Sequence, residues 1–148
     1  MLARLAHWLR AAGYDTLLAA QGTGDHALLT RALADGRALL TRDRQLCEIR
    51  EAAGRVLLLR RDRLGEQAAE TTAALGIDWL RAPFSRCLLC NVVLRSAPPL
   101  ARATLPAAIR ERSDAINQCL QCGRLYWAGG HVERMRRRLE RWHDGDFA

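Results

Sequence analysis

The chain has 148 residues, 49% of them apolar, enough for one domain, or for one small domain with an appended module. Its formal net charge is +7 and all 23 basic residues are arginine, so the expected partner is anionic, and the planar guanidinium fork suits phosphate. No apolar run approaches the roughly 18 residues of a membrane span and no signal-peptide pattern opens the chain, which predicts a cytoplasmic protein with no membrane partner.

Leu2, Leu5, Ala6 and Leu9 recur at i, i+3, i+4 and i+7, which predicts an amphipathic helix over residues 2–12 stopped by Gly13. Residues 14–19 read as a short strand, and Gln21-Gly22-Thr23-Gly24 as a loop. Asp25 stands at an N-cap position and opens a helix over 25–34 that ends at Asp35-Gly36. A strand over 37–41, a helix over 44–53 closed by Gly54, a strand over 56–60 and a helix over 64–75 closed by Gly76 continue the alternation. Strands alternating with helices of about ten residues predict an α/β fold with a parallel sheet flanked by helices. A last strand is expected at 77–80, and Arg81-Ala82-Pro83 marks a boundary between a domain over 1–83 and a module over 84–148.

The module is organised by Cys87-Leu88-Leu89-Cys90 and Cys119-Leu120-Gln121-Cys122, two CxxC knuckles separated by 28 residues. Paired knuckles of this spacing can set four thiolates tetrahedrally around one structural Zn²⁺. The alternatives are two disulfides, four buried thiols, or a redox motif, but a redox motif needs only one CxxC and no secretory signal favours disulfides. Between the knuckles Ser96-Ala97-Pro98-Pro99 marks a loop and residues 105–112 a short helix. A closing helix over 131–142 puts Val132, Met135, Leu139 and Trp142 on one face and Arg134, Arg137, Arg138 and Arg141 on the other. The charge is uneven: residues 1–83 hold 12 arginines against 10 acids, a net of +2, and residues 84–148 hold 11 against 6, a net of +5.

Ligands bind open parallel sheets at the carboxyl ends of their strands. Two acids fall there, Asp43 after the strand ending at Thr41 and Asp25 after the preceding loop, and such a pair can hold Mg²⁺ or Mn²⁺. Each also reads as an N-cap of the helix it precedes. Asp62, among Arg60, Arg61 and Arg63, reads as a turn residue, and Cys47 as a buried thiol. Tyr126 and Trp127 read either as stacking platforms for RNA bases or as the small core of the second knuckle.

Four stretches carry a resemblance: residues 2–16, Gly36 to Asp43, Arg86 to Asn91 and Cys119 to His131. In this order they resemble the Mut-seven C-terminal RNase domain, which joins a PIN-like nuclease fold to a zinc ribbon. The resemblance implies a PIN-like parallel sheet followed by a four-cysteine zinc ribbon and the basic helix, and a Mg²⁺- or Mn²⁺-dependent ribonuclease with Asp25 and Asp43 as catalytic acids. RNA is the implied partner, and independently of the resemblance the helical stripe of Arg134, Arg137, Arg138 and Arg141, with Arg42, is expected to face its phosphates. In that family a strand ending in an acidic metal ligand precedes the helix that starts here at Leu2. The expectation is therefore a nuclease half shortened at its N-terminus and short of one catalytic carboxylate. The alternative expectation is a zinc-ribbon protein that binds RNA or the ribosome without cutting.

Overall fold

The computed structural model describes residues 2–49 and 54–148. Contacts divide the chain into two units, one of residues 1–6, 17–77 and 147–148, the other of residues 7–16 and 78–146. Helix α1 (Ala3–Ala11) contributes its first residues to one unit and the rest to the other.

The first unit continues with α2 (Asp25–Ala34), β1 (Leu39–Thr41), α3 (Arg44–Glu48), β2 (Val56–Leu58) and α4 (Leu64–Leu75). β1 and β2 pair in parallel, with Leu39 opposite Val56 and Thr41 opposite Leu58, and α3 lies in the crossover that a parallel pair requires. Leu29, Ala32, Leu46, Leu59 and Ala68 form its buried apolar set, together with Leu5 and Ala6 of α1. α4 buries Gln67 and Thr71 as well, and their polar atoms are satisfied locally: Gln67 Nε2 donates to the Arg61 carbonyl at 3.0 Å and Thr71 Oγ1 to the Gln67 carbonyl at 2.7 Å. Gly65 lets the C-terminal tail lie against α4, since a Cβ there would stand 1.9 Å from the Phe147 carbonyl oxygen.

The second unit takes the remainder of α1 and adds β3 (Arg95–Ser96), α5 (Pro99–Ala103), α6 (Ala107–Arg112), β4 (Ile116–Gln118), β5 (Leu125–Trp127) and α7 (Gly130–His143). The three strands form an antiparallel sheet in the order β3-β4-β5, with Ile116 opposite Trp127 and Arg95 opposite Gln118. α7 buries Met135, Leu139 and Trp142, the i, i+4, i+7 face, and leaves its arginines exposed. Trp142 meets the edges of two further indoles, Trp8 at 5.1 Å and Trp79 at 4.7 Å between centroids. α1 ends where Gly13 adopts φ +98°, so that Tyr14 N–H bonds the Leu9 carbonyl at 2.9 Å and Gly13 N–H the Arg10 carbonyl at 3.0 Å.

Several expected elements take another form. Residues 14–19 are not a strand, because their backbone groups are claimed by side chains: Thr16 N–H donates to Asn91 Oδ1 at 3.0 Å and the Thr16 carbonyl accepts from Arg10 Nε at 2.8 Å. Residues 77–80 form a turn around the fully buried Trp79, in which Asp78 Oδ1 accepts from Leu80 N–H at 2.9 Å. Helix α3 stops at Glu48, where Ile49 turns extended, and the expected continuation over 50–53 lies outside the described residues. The single short helix expected over 105–112 is preceded by another, α5, opened by Pro99. The result is a mixed α/β chain with a small parallel sheet. Among the described residues no helix is long and apolar enough to cross a membrane.

Candidate metal centre

The two CxxC knuckles are built alike. In the first, Cys87 N–H bonds the Val92 carbonyl at 2.8 Å and Asn91 N–H the Cys87 carbonyl at 2.9 Å; in the second, Cys119 N–H bonds the Arg124 carbonyl at 2.9 Å and Gly123 N–H the Cys119 carbonyl at 2.8 Å. Each turn returns the chain on itself within a few residues, so both cysteines of a pair face inward. The sulfurs of Cys87, Cys90, Cys119 and Cys122 all lie within 4.8 Å of one another.

Cys87 Sγ and Cys122 Sγ stand 3.8 Å apart. A disulfide requires about 2.05 Å, whereas a tetrahedron with Zn–S bonds of about 2.3 Å separates its sulfurs by about 3.8 Å. All five cysteines are free thiols, which removes the two-disulfide alternative. Four cysteines with no oxygen or nitrogen donor among them are the set of a closed structural zinc site, and the cage fits that ion. Cys87 and Cys119 are fully buried and, with Leu94, form one core cluster, lined by Cys90, Val92 and Tyr126.

Burial pushes the Cys87 thiol up, but hydrogen bonds from the Tyr126 hydroxyl and from the Cys90 and Leu89 N–H groups outweigh it and hold Cys87 at about 6. Cys90 is pushed up to about 12, first by its hydrogen bond with Cys122 and next by burial. The Cys87 thiolate therefore forms readily and its charge opposes a second one at Cys90, a repulsion that a bound dication reverses. Burial, and then the bond to Cys87, push Tyr126 above its usual range, so the phenol keeps its proton and donates to Cys87 Sγ at 3.1 Å.

The other residues singled out from sequence lie elsewhere. Asp43 follows β1 and caps α3, its Oδ1 accepting from Gln45 N–H at 2.9 Å. Asp25 is the first residue of α2, one position past its N-cap Gly24, and is exposed. Among the described residues the four cysteines are the group of three or more His, Cys, Asp or Glu side chains placed to share an ion, and neither aspartate belongs to such a group. Arg42 forms an ion pair with Asp62. On α7, Arg138 lies over the Trp8 ring with its guanidinium carbon 5.4 Å from the centroid, and Arg141 pairs with Asp146 at 2.7 Å. Arg134 and Arg137 are exposed.

Three residues around the knuckles escape a reading of the sequence as parts of a site. Tyr126, which reads there as a stacking or core aromatic, touches a candidate ligand. Arg10 and Asn91 hold the backbone around the first knuckle. Only the presence of both residues in the stretches that carry the resemblance hints at this. No curated protein and no solved structure matches the chain. A family model described as the Mut7-C RNAse domain matches residues 1–139.

Proposed function

The chain belongs to the Mut7-C RNAse domain family, and from that footing we propose that it is a metal-dependent ribonuclease of the PIN-like class, hydrolysing RNA phosphodiesters. The observation that carries this reading is the family match over residues 1–139, within which Asp43 follows the parallel strand β1 at its carboxyl end. Mg²⁺ or Mn²⁺ held by Asp25 and Asp43 would supply Lewis-acid activation of water. Asp43 spends one carboxylate oxygen on the Gln45 N–H and keeps the other for such a role. The exposed arginines of α7 attract the phosphate backbone, with Arg134 and Arg137 outside the contacts that engage Arg138 and Arg141.

The test is cleavage of RNA with Mn²⁺ by the native chain and by Asp43→Asn. Asparagine caps a helix about as well as aspartate, so loss of cleavage with an unchanged fold assigns the charge to catalysis. Equal rates remove Asp43 from the mechanism.

One observation favours a second reading, an RNA-binding or ribosome-associated protein that does not cut. The excess charge lies in residues 84–148, a net of +5 against +2 in residues 1–83. On this reading RNA affinity survives Asp43→Asn, falls steeply with salt, and weakens with Arg137→Glu. Binding that ignores both salt and Arg137 would rule it out.

A further inference from the structure

Residues 10–16 and the first knuckle are latched together from both directions. Arg10, only 4% exposed, donates through Nη1 to the carbonyls of Leu88 and Leu89, each at 2.8 Å, and through Nε to the carbonyl of Thr16 at 2.8 Å. Asn91, the residue after Cys90, is buried with φ +66°, and its amide reaches back: Oδ1 accepts from Thr16 N–H at 3.0 Å and Nδ2 donates to Asp15 Oδ1 at 2.6 Å. Arg86 adds Nε to the Gly13 carbonyl at 3.1 Å and Nη1 to the Asn91 carbonyl at 2.9 Å.

We propose that Arg10 and Asn91 are positioning residues of the four-cysteine centre, an outer layer that sets its affinity for zinc and makes residues 10–16 part of the metal module. Two physical effects act together. Leu88 and Leu89 are the two residues between the paired cysteines, so a guanidinium drawing their carbonyls outward turns the knuckle's N–H groups toward the sulfurs, as Cys90 N–H does toward Cys87 Sγ at 3.3 Å. In addition, four thiolates around a dication leave an anionic centre, and the buried guanidinium lies within electrostatic reach of Cys87 and Cys90. Burying a charge this far from water is costly unless it is bonded and opposed, and the knuckle's carbonyls and thiolates supply both. In return the metal gains a preset knuckle.

The proposal rests on the cysteine cage holding zinc, and the experiment separates the two. Zinc affinity is measured for the full chain by competition with a chromophoric chelator, for the native protein, Arg10→Gln and Arg10→Lys. A native chain that takes up no zinc overturns the premise. Given native uptake, Arg10→Gln is expected to lose about 10- to 100-fold in affinity and Arg10→Lys less, since the ammonium keeps the charge without the fork. Affinities within about twofold of native for both variants overturn the proposal. Cobalt substitution adds a readout that mere loss of packing would not move, because a loosened knuckle shifts the thiolate-to-cobalt absorption bands. Should Arg10→Gln fail to fold, hydrogen exchange on the native chain decides: chelation is expected to strip protection from the Thr16 amide along with those of 87–127 while the α2 and α4 amides keep theirs. Retained protection at Thr16 while 87–127 open would overturn the latch.

Discussion

Trp142 is the side chain that joins the other two indoles of the second unit. It is 3% exposed and holds the edges of Trp8 and Trp79 at 5.1 and 4.7 Å. Truncating a buried tryptophan to alanine costs about 3–5 kcal/mol in lost burial and residual cavity, and each aromatic pair contributes about 0.5–1.5 kcal/mol beyond its area. Trp142→Ala is therefore expected to destabilise the second unit by about 4–8 kcal/mol, a large part of the about 5–15 kcal/mol a domain possesses. In a unit of roughly 60–100 residues each kcal/mol moves the melting temperature by about 4–8 °C, so the expected fall is at least about 15 °C. The assay is thermal and guanidinium unfolding of the zinc-loaded chain followed by circular dichroism. Trp142→Phe, which keeps a ring between the two indoles, should lose less than half as much. Trp127, only half-buried on β5, serves as control, and its change to alanine should cost much less. A loss below about 1 kcal/mol for Trp142→Ala would refute the claim that these three indoles are the packing centre of the unit.

Asp43→Ala removes the cap of α3 and should cost about 1 kcal/mol, whereas Asp43→Asn should cost a few tenths at most; equal losses in thermal unfolding would show that the Gln45 bond contributes nothing. Gly65→Ala should destabilise the full chain, because its Cβ meets the Phe147 carbonyl, yet stabilise a chain ending at Asp146 by up to about 1 kcal/mol; the same sign in both would refute the tail contact. Chelating zinc should abolish the β signal of the β3-β4-β5 sheet, since structural zinc contributes about 10–16 kcal/mol in small modules and the cluster around the cysteines adds to them one other buried side chain, Leu94; an unchanged spectrum would contradict it. For RNA binding, Arg137→Glu should weaken affinity evenly across sequences and flatten the slope of log affinity against log salt by about one.

The cysteine cage and α7 were legible because each is written locally, one as spacing and the other as a period. Cys87 and Cys90 sit on one turn, and Met135, Leu139 and Trp142 repeat at helical intervals, so neither needed knowledge of distant chain. The parallel pairing of β1 and β2 was legible as well, from two apolar runs separated by a helix. The strands expected at 14–19 and 77–80 were not, and the cause is non-local. Thr16 is bonded by Asn91, 75 positions away, and Asp78 N–H by the Tyr14 hydroxyl, 64 positions away. An apolar run predicts burial well, but whether its amides find a ladder or a side chain depends on residues the run does not contain. Arg10 was unreadable for the same reason. Its acceptors are backbone carbonyls, which every residue carries, so no choice of side chain at positions 88 and 89 announces them.

The second unit draws its first segment from near the start of the chain and the rest from beyond residue 77. Arg10 and the carbonyl of Leu88 are 78 positions apart, so at synthesis rates of about 5–20 residues per second the arginine is made about 4–16 s before its acceptor. During that interval residues 7–16 carry a cation and the Leu9 and Ala11 face with no destination yet made. Order of synthesis thus constrains order of assembly: whatever the intervening stretch achieves meanwhile, Arg10 cannot be seated until the knuckle made 78 positions later has emerged.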